Sequence, residues 1–528
     1  MAAKVSCRTL RRIVKENKAT EFGRQHDFSH IKTPQQYRAS VPLGDYDTYR
    51  PYIKRMADGE KNVLLADSLQ YFGVTSGTTG EQKLIPVTRH SLKIASGYMA
   101  ILTQRMMYKA FKSQYSYGRG LTLTDMLPAG ETKGNTPVCS ATSGGMKSIR
   151  RLIPLMWTSP PEIMELYDRD NSLYLHLLFG LKEKKLMYIS GVFISSVLDM
   201  FRFLEEHWRD LVEDIRRGKI STPHKLDDKI RERLMKGMIP DSSRAEELSR
   251  ELAAGMEGIA KRIWPKLICL MTVTGGSFSV YDKKVGHYTG DLPVYSPIYA
   301  ATEALVGINP YVDKISYVLT PDTAYFEFIP LPSINESSPK AVGVEDLVPG
   351  SDYEVVMTTY TGLYRYRLGD VVRVDGYYNT SPKLKFLYRK NQMLNIAAEK
   401  TTEQHVSSAM ERAFRDLGLT LVDYTSLSDT SVSPGRYVFF VELREGSRYG
   451  ADTISNALEK ELCNANPAYG RIRSKGKLGM SKTIVVREGT FRGYKEGIIK
   501  KRGISRTQLK VPRILKENEA EMYFGYKL

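Results

Sequence analysis

Cysteine is scarce in this chain. Four occur in 528 residues, at positions 7, 139, 269 and 463. None forms a CxxC pair with another, which argues against a disulfide framework or a cysteine-based zinc site. The chain reads as a reduced, cytoplasmic protein. The eight histidines show no HExxH or comparable ligand spacing. Long apolar runs are missing as well. The nearest, 173–203, is broken by Lys182-Glu183-Lys184-Lys185, so no membrane span is expected. The segment 1–18 is basic and amphipathic, as a transit peptide is. However, Glu16 and Glu21 break the acid-poor rule, and Leu10, Ile13 and Val14 share one helical face. It reads as an ordinary first helix.

Acidic residues are in deficit, 59 against 77 Lys and Arg, for a net charge of +18. Such an excess suits anionic partners, nucleic acid among them. Much of it lies in 471–513, with fourteen Lys or Arg against two Glu. That tract lacks the interleaved aromatics on which unpaired bases stack, offering only Phe491 and Tyr494. A solvated basic face, or a lid over phosphate groups, fits it better than a nucleic-acid groove.

What the chain does have is the stretch Phe72-Gly-Val-Thr-Ser-Gly-Thr-Thr-Gly-Glu-Gln-Lys83. Glycines let a backbone turn tightly and approach a ligand. Successive free N–H groups in such a turn make an anion-binding concavity. Four hydroxyls (Thr75, Ser76, Thr78, Thr79) add donors, and Lys83 adds a point charge. A polyphosphate is the natural guest, held by Ser76, Gly77, Thr78, Thr79, Gly80 and Lys83. The common nucleotide P-loop differs, because it sets Gly-Lys-Ser/Thr together. The plain alternative is a polar surface loop.

At this length two or more domains are expected. Helix is expected at 91–112, with Thr88 as N-cap, at 195–217, and over the charged, outward stretch 225–260. Residues 1–70 are read as helical and then irregular, since Pro42, Tyr46, Tyr49, Pro51 and Tyr52 interrupt any long periodicity. Apolar strands are expected at 186–193 and 267–274, the second ending in Gly275-Gly276, where α/β sheets place ligands. Short strands at 325–329, 353–359, 371–374 and 384–388 suggest a β-rich subdomain. Beyond Arg389-Lys390-Asn391 a helix (401–417), strand (437–443), helix (451–464) and strand (482–487) make a separate small α/β unit.

Two further clusters carry chemistry. In Tyr299-Ala-Ala-Thr-Glu303 the ring suits a base and the carboxylate suits Mg²⁺, although a strand-to-turn segment would read the same. In Gly362-Leu-Tyr-Arg-Tyr-Arg-Leu-Gly-Asp370 the carboxylate suits paired ribose hydroxyls. Arg365 and Arg367 are expected on one face of a strand, with a salt-bridged strand end as the alternative. Arg389, after strand 384–388, is placed to reach the same nucleotide. Lys400 and Lys510 are candidate mobile cations that would stabilise charge at a phosphoryl or acyl centre.

Taken in order, T-S-G-T-T-G-x-x-K-x-x-P, Y-A-A-T-E, G-L-Y-R-Y-R-L-G-D-V-V, the 389–391 junction, E-K-T-T-E and Q-L-K-V-P-R resemble the acyl-acid amido synthetases of the plant auxin-responsive (Gretchen Hagen) type. These are a branch of the adenylate-forming superfamily. The resemblance implies an α/β adenylate-forming fold, with a large N-terminal adenylation domain (1–397, α/β layers plus a β-rich subdomain) and a small mobile α/β C-terminal lid (398–528). It implies ATP and Mg²⁺, a small-molecule carboxylic acid, and an amine or amino acid joined to it as an amide through an acyl-adenylate. Ser76, Thr78 and Thr79 would hold phosphates. Thr274, Gly275 and Tyr299, with Thr302 beside them, would surround adenosine. Glu303 would serve Mg²⁺, Asp370 the ribose, and Lys400 and Lys510 the reacting phosphate. Two departures from the plant pattern, Gly80-Glu81 in the loop and Y-A-A-T-E for Y-A-S-S-E, leave the acid and its acceptor unassigned. The alternatives are a ligase that passes the acyl group to coenzyme A or a carrier thiol, and a non-enzymatic nucleotide or nucleic-acid binder.

Overall fold

The apolar stripe at 195–217 forms the longest helix, Ile194–Arg217, and it decides how the middle of the chain packs. Val197, Leu198, Phe201, Leu204, Leu211, Val212 and Ile215 are all buried along it. Each such side chain is worth about 1.5–3 kcal/mol of burial. Trp208, at the stripe's margin, is only partly buried. The helix stops at Gly218, whose φ of +63° continues no helix and suits a residue without Cβ. Its buried face joins Arg169–Lys182 against a parallel four-stranded sheet ordered Gly120–Leu123, Tyr188–Phe193, Cys269–Val273, Val294–Tyr295. Parallel strands covered on their faces read as continuous apolar runs, which is how two of them were legible.

This computed structural model describes residues 1–528 except 75–82, 274–278, 391–392, 398, 445–448, 503–509, 516 and 527–528. A second four-stranded sheet orders Leu84–Thr88, Leu69–Val74, Pro137–Ser140 and Pro128–Glu131. Leu69–Val74 runs antiparallel to Leu84–Thr88 and parallel to Pro137–Ser140, with Val74 opposite Ser140. The glycine-hydroxyl stretch therefore joins two paired strands. A third sheet is antiparallel and seven-stranded: Ala324–Pro330, Asp352–Thr359, Tyr366–Tyr378, Ser381–Arg389, Tyr317–Leu319, Leu305–Ile308, Ile298–Ala300. The first helix, Ala2–Asn17, buries Leu10, Ile13 and Val14 in the core beneath this sheet.

From Met393 onward the strands Leu421–Asp429, Arg436–Leu443 and Lys482–Val486 form their own sheet. Helices Glu403–Asp416 and Ala451–Ala465 contribute to an apolar cluster on one face. Thr490–Arg502 and Glu517–Phe524 contribute to another. Thr402 caps Glu403–Asp416 by a capping box with His405.

Four expectations need correcting. The segment read as irregular holds a regular helix, Tyr46–Ala57, with Pro51 inside it. A capping box at Asp45 and the burial of Tyr49, Ile53 and Met56 outweigh the proline's lost hydrogen bond. The helix expected at 91–112 is interrupted by a six-residue π-helical stretch, Gly97–Leu102. The charged stretch 225–260 breaks into Asp228–Met235, Ser242–Ala253 and Ile259–Ile263, whose Leu234, Leu248, Leu252 and Ile263 are buried rather than outward. Arg365 does not share a strand face with Arg367. It precedes the strand at φ +43° and pairs with Glu327, while Arg367 pairs with Glu354. For those two arginines the salt-bridged alternative holds.

Candidate active site

Asp370 is the fixed point of the site. It lies on Tyr366–Tyr378 directly opposite Arg389 of Ser381–Arg389, so strand register alone brings the two together. The Arg389 Nε donates to Asp370 Oδ1 at 2.5 Å, and the Tyr299 hydroxyl donates to Oδ2 at 2.7 Å. Tyr299 belongs to the edge strand Ile298–Ala300, four places from Tyr366–Tyr378 in the sheet order. Strands lie about 4.8 Å apart, so a flat sheet would separate them by ~19 Å, beyond any tyrosine's reach. The sheet must coil, and the coil gathers Tyr299, Asp370 and Arg389 at one point.

The same coil brings in Glu303. This carboxylate is buried and accepts a 3.2 Å bond from the Tyr366 hydroxyl. Burial raises its pKa, with the Arg389 guanidinium opposing. Burial also holds the Tyr299 hydroxyl far above its ordinary pKa, so it remains a donor. Asp370 and Glu303 in turn keep Arg389 charged by raising its pKa. Only 1% of Asp370 is exposed. Each of its oxygens accepts one of these two bonds, and a carboxylate has about four lone-pair directions, so capacity for further donors remains.

Thr302 links this cluster to the glycine-hydroxyl stretch. A methyl group placed on Gly73 would stand 2.8 Å from Thr302 Cγ2, so the strand entering the stretch touches the Tyr299–Glu303 turn. At the exit, the Tyr46 hydroxyl accepts from Leu84 N at 2.9 Å, and Lys83 Nζ lies 5.2 Å over the Tyr46 ring. Ser76, Gly77, Thr78, Thr79 and Gly80 lie outside the described residues, as do Thr274 and Gly275.

Lys510 comes from the far end of the chain. It is half-buried, and its pKa is lowered by burial, with Glu403 and Asp370 opposing and Arg389 adding to the depression. Lys510 therefore lies within electrostatic reach of both Asp370 and Arg389. The Lys400 side chain is exposed. Its backbone sits at φ +48°, with the amide bonded to Asn395 Oδ1 at 3.0 Å. Beside it, Glu399 accepts from the Ile396 and Ala397 amides, both at 2.7 Å, and from the Tyr437 hydroxyl. Asn466 donates to the Glu399 carbonyl at 3.1 Å and to Thr401 Oγ1 at 2.9 Å. Among the described residues no cluster of three His, Cys, Asp or Glu is placed to hold a metal. Glu303 and Asp370 are both buried carboxylates of this cluster, and the Asp370 charge adds to the rise in the Glu303 pKa.

Three family models match in succession: the GH3 family N-terminal domain over 1–294, its central domain over 317–389 and its C-terminal domain over 404–519. The chain belongs to the GH3 family. Its relatives include the jasmonoyl–L-amino acid synthetase JAR4 of Nicotiana attenuata, 30% identical over 99% of this chain and 95% of that protein. The indole-3-acetic acid-amido synthetase GH3.8 of Oryza sativa subsp. indica is 33% identical over 96% of this chain and 87% of that protein. Among solved structures, the GH3.15 acyl acid amido synthetase superposes with a TM-score of 0.87 at 28% identity, covering 99% of this chain and 93% of that one. A 2-hydroxyisobutyryl-CoA ligase superposes at 0.58 and 12% identity over 99% and 91%, which shows the adenylate-forming fold alone. The GH3 relatives are by name amide-forming ligases of acids and amino acids.

In this GH3 chain, sequence reasoning missed Tyr366 and Arg513 although both sat inside quoted motifs. Their partners, Glu303 and Asp423, lie 63 and 90 residues away, and spacing carries no trace of such pairs. Tyr46 and Glu399 were missed because a hydroxyl or carboxylate that serves backbone amides looks like any surface residue in sequence.

Proposed function

We propose that this chain is an ATP-dependent ligase that turns a carboxylic acid into its acyl-adenylate and transfers the acyl group to an amine, that of an amino acid. The observation that carries it is the Asp370 clamp, with Arg389, Tyr299, Glu303 and Lys510 in one charge cluster on a GH3 scaffold. In the first step a carboxylate oxygen attacks the α-phosphorus of ATP, a P–O bond forms, and the bond to pyrophosphate breaks. Positioning and charge neutralisation do most of the work in such displacements. The remaining lone pairs of Asp370 take the ribose hydroxyls. Tyr299 orients that carboxylate, and, with Thr274, Gly275 and Thr302, it walls the adenosine. Ser76, Gly77, Thr78, Thr79, Gly80 and Lys83 hold the phosphate tail. Lys510 stabilises charge on the phosphate being attacked. A magnesium ion takes one or two protein carboxylates and several phosphate oxygens, which fits Glu303 as its ligand. Bound there, it would neutralise the phosphate oxygens.

In the second step the amine nitrogen attacks the acyl carbon, the C–O bond to AMP breaks, and the amine's proton is lost to solvent. The unit 398–528 turns between the steps and opens a path for the amine. The bonds from Glu399 to Tyr437 and Asn466 support movement of Glu399 and its neighbour Lys400 with that unit. All four cysteines are free, in keeping with a reduced, cytoplasmic setting.

The test is incubation with ATP, magnesium, a panel of acids that includes indole-3-acetic and jasmonic acid, and either amino acids or coenzyme A, read by mass spectrometry. An amide with one AMP per product is expected. A thioester in its place would move the chain to the thiol-transferring ligases. No AMP with any acid, together with steeply salt-dependent RNA binding, would return it to the binding proteins.

A further inference from the structure

The helix Ser279–Thr289 follows directly on the segment that contains Thr274 and Gly275. Two of its side chains cross to the C-terminal unit. The Tyr281 hydroxyl donates to Asp423 Oδ2 at 2.7 Å, and Lys284 Nζ donates to the Val422 carbonyl at 2.8 Å. On the far side Asp423 is paired within its own unit: Arg513 Nη1 donates to its Oδ1 at 2.6 Å and to the Tyr424 carbonyl at 2.5 Å. The guanidinium stacks over the Tyr424 ring at 4.2 Å, and Nη2 reaches back to the Tyr281 hydroxyl at 3.4 Å. Tyr281, Asp423 and Arg513 are all buried. The backbone around Arg513 is also fixed to the strand Leu421–Asp429. Ser426 N donates to the Arg513 carbonyl at 3.0 Å, and Thr425 Oγ1 donates to the Pro512 carbonyl at 2.5 Å. Lys510 stands three residues before Arg513. A rigid chain of bonds thus runs from the nucleotide side of the large unit, through Tyr281, Asp423 and Arg513, to the backbone that presents Lys510.

We propose that Tyr281 is a positioning residue that holds the C-terminal unit in the posture for the adenylating step, with Lys284 as its partner across the same seam. The inference rests on the two-step reading above. Arg513 and Asp423 satisfy each other inside the small unit. Loss of the Tyr281 hydroxyl therefore leaves that unit's fold intact and removes only the contacts this hydroxyl makes across the seam, to Asp423 and Arg513. A buried hydrogen bond to a charged group is among the stronger ones. The seam must part for the unit to turn, so weakening it penalises the step that needs Lys510 over the clamp and spares the step that needs it withdrawn.

Tyr281→Phe and Lys284→Gln are the variants, compared with wild type in two half-reactions. Acid-dependent pyrophosphate–ATP exchange is expected to fall roughly tenfold in kcat with KM for ATP little changed. Transfer from supplied acyl-adenylate to the amine is expected to hold or rise. An equal fall in both half-reactions, or no change in either, overturns the inference. A second measurement needs no substrate: nitroxide labels across the seam, one on Ser279–Thr289 and one on Leu421–Asp429, read by electron double resonance. A narrow distance distribution in wild type that broadens in Tyr281→Phe supports the latch. One that stays narrow overturns it, whatever the acid panel shows. Wild type that makes no adenylate while the labels behave as expected defeats the enzymatic reading and leaves the latch standing as a conformational device.

Discussion

At the scale of single residues, the site is a set of buried polar groups that satisfy one another. Asp370 shows what that costs to disturb. Asp370→Asn keeps the shape but strips the charge from both its bonds and leaves Arg389 without its counter-ion. Acid-dependent pyrophosphate exchange is expected to fall roughly a hundredfold, the equivalent of about 2.7 kcal/mol. Near-normal exchange would remove Asp370 from the nucleotide site, and a melting curve run alongside separates loss of folding from loss of chemistry. Gly73 tests a contact rather than a charge. An alanine there would press on Thr302 Cγ2 at 2.8 Å, while its other neighbours stand at 3.5 Å or more. Overpacking of this kind costs about 1–3 kcal/mol. Gly73→Ala should therefore lose stability, and the added change Thr302→Ser, which deletes the offending methyl, should restore most of it. No recovery in the double variant would place the strain elsewhere.

At the scale of elements, the helix Ile194–Arg217 anchors the middle of the chain. Leu204→Ala empties a fully buried position and is expected to cost about 2–5 kcal/mol, read as a lower denaturant midpoint at unchanged slope. That helix was legible in the sequence because seven buried apolar residues recur at steps of three and four. The strands at 186–193 and 267–274 were legible because both faces are covered. What failed to show follows a pattern too. Leu421–Asp429 alternates little: Asp423, Tyr424, Thr425, Ser426 and Leu427 are buried in succession, so no period of two marks it. Its neighbour Arg436–Leu443, with a continuous apolar run from Tyr437 to Val441, was found. Tyr46–Ala57 was hidden by Pro51, since its stability comes from a cap and tertiary burial that local propensity does not record. At the site, the motifs were visible as words, but the pairs Tyr366–Glu303 and Arg513–Asp423 depend on how distant words fold together.

At the scale of the whole molecule, the basic tract at 471–513 divides. Arg471, Lys475 and Lys477 are exposed to solvent, Arg473 is tied to Glu459, and Arg513 is buried at the seam. Weak, salt-sensitive RNA binding at most is expected from so dispersed a charge; tight binding at physiological salt in a fluorescence titration would contradict this. Global stability should also carry a signature of His176. Burial pushes this imidazole down to about 4, with a Thr124 backbone bond opposing, and its Nδ1 lies 2.6 Å from Ser159 Oγ. The folded pKa lies below the ordinary value of about 6.5, so between the two the unfolded chain binds the extra proton. This contribution is complete above pH 6.5 and disappears as the pH falls toward 4, a loss of about 3 kcal/mol. Urea melts across that window should show the decline, and His176→Gln should flatten it.

The coiled sheet has one more consequence. The Tyr299 hydroxyl ties its outermost strand to a carboxylate four strands inward, which makes a mechanical short circuit. A nudge to Ile298 or Ala300 need not travel through the intervening ladder to be felt at Asp370; it arrives through a single oxygen. Substitutions on that remote rim are then the ones to watch for changes in how firmly a ribose is gripped.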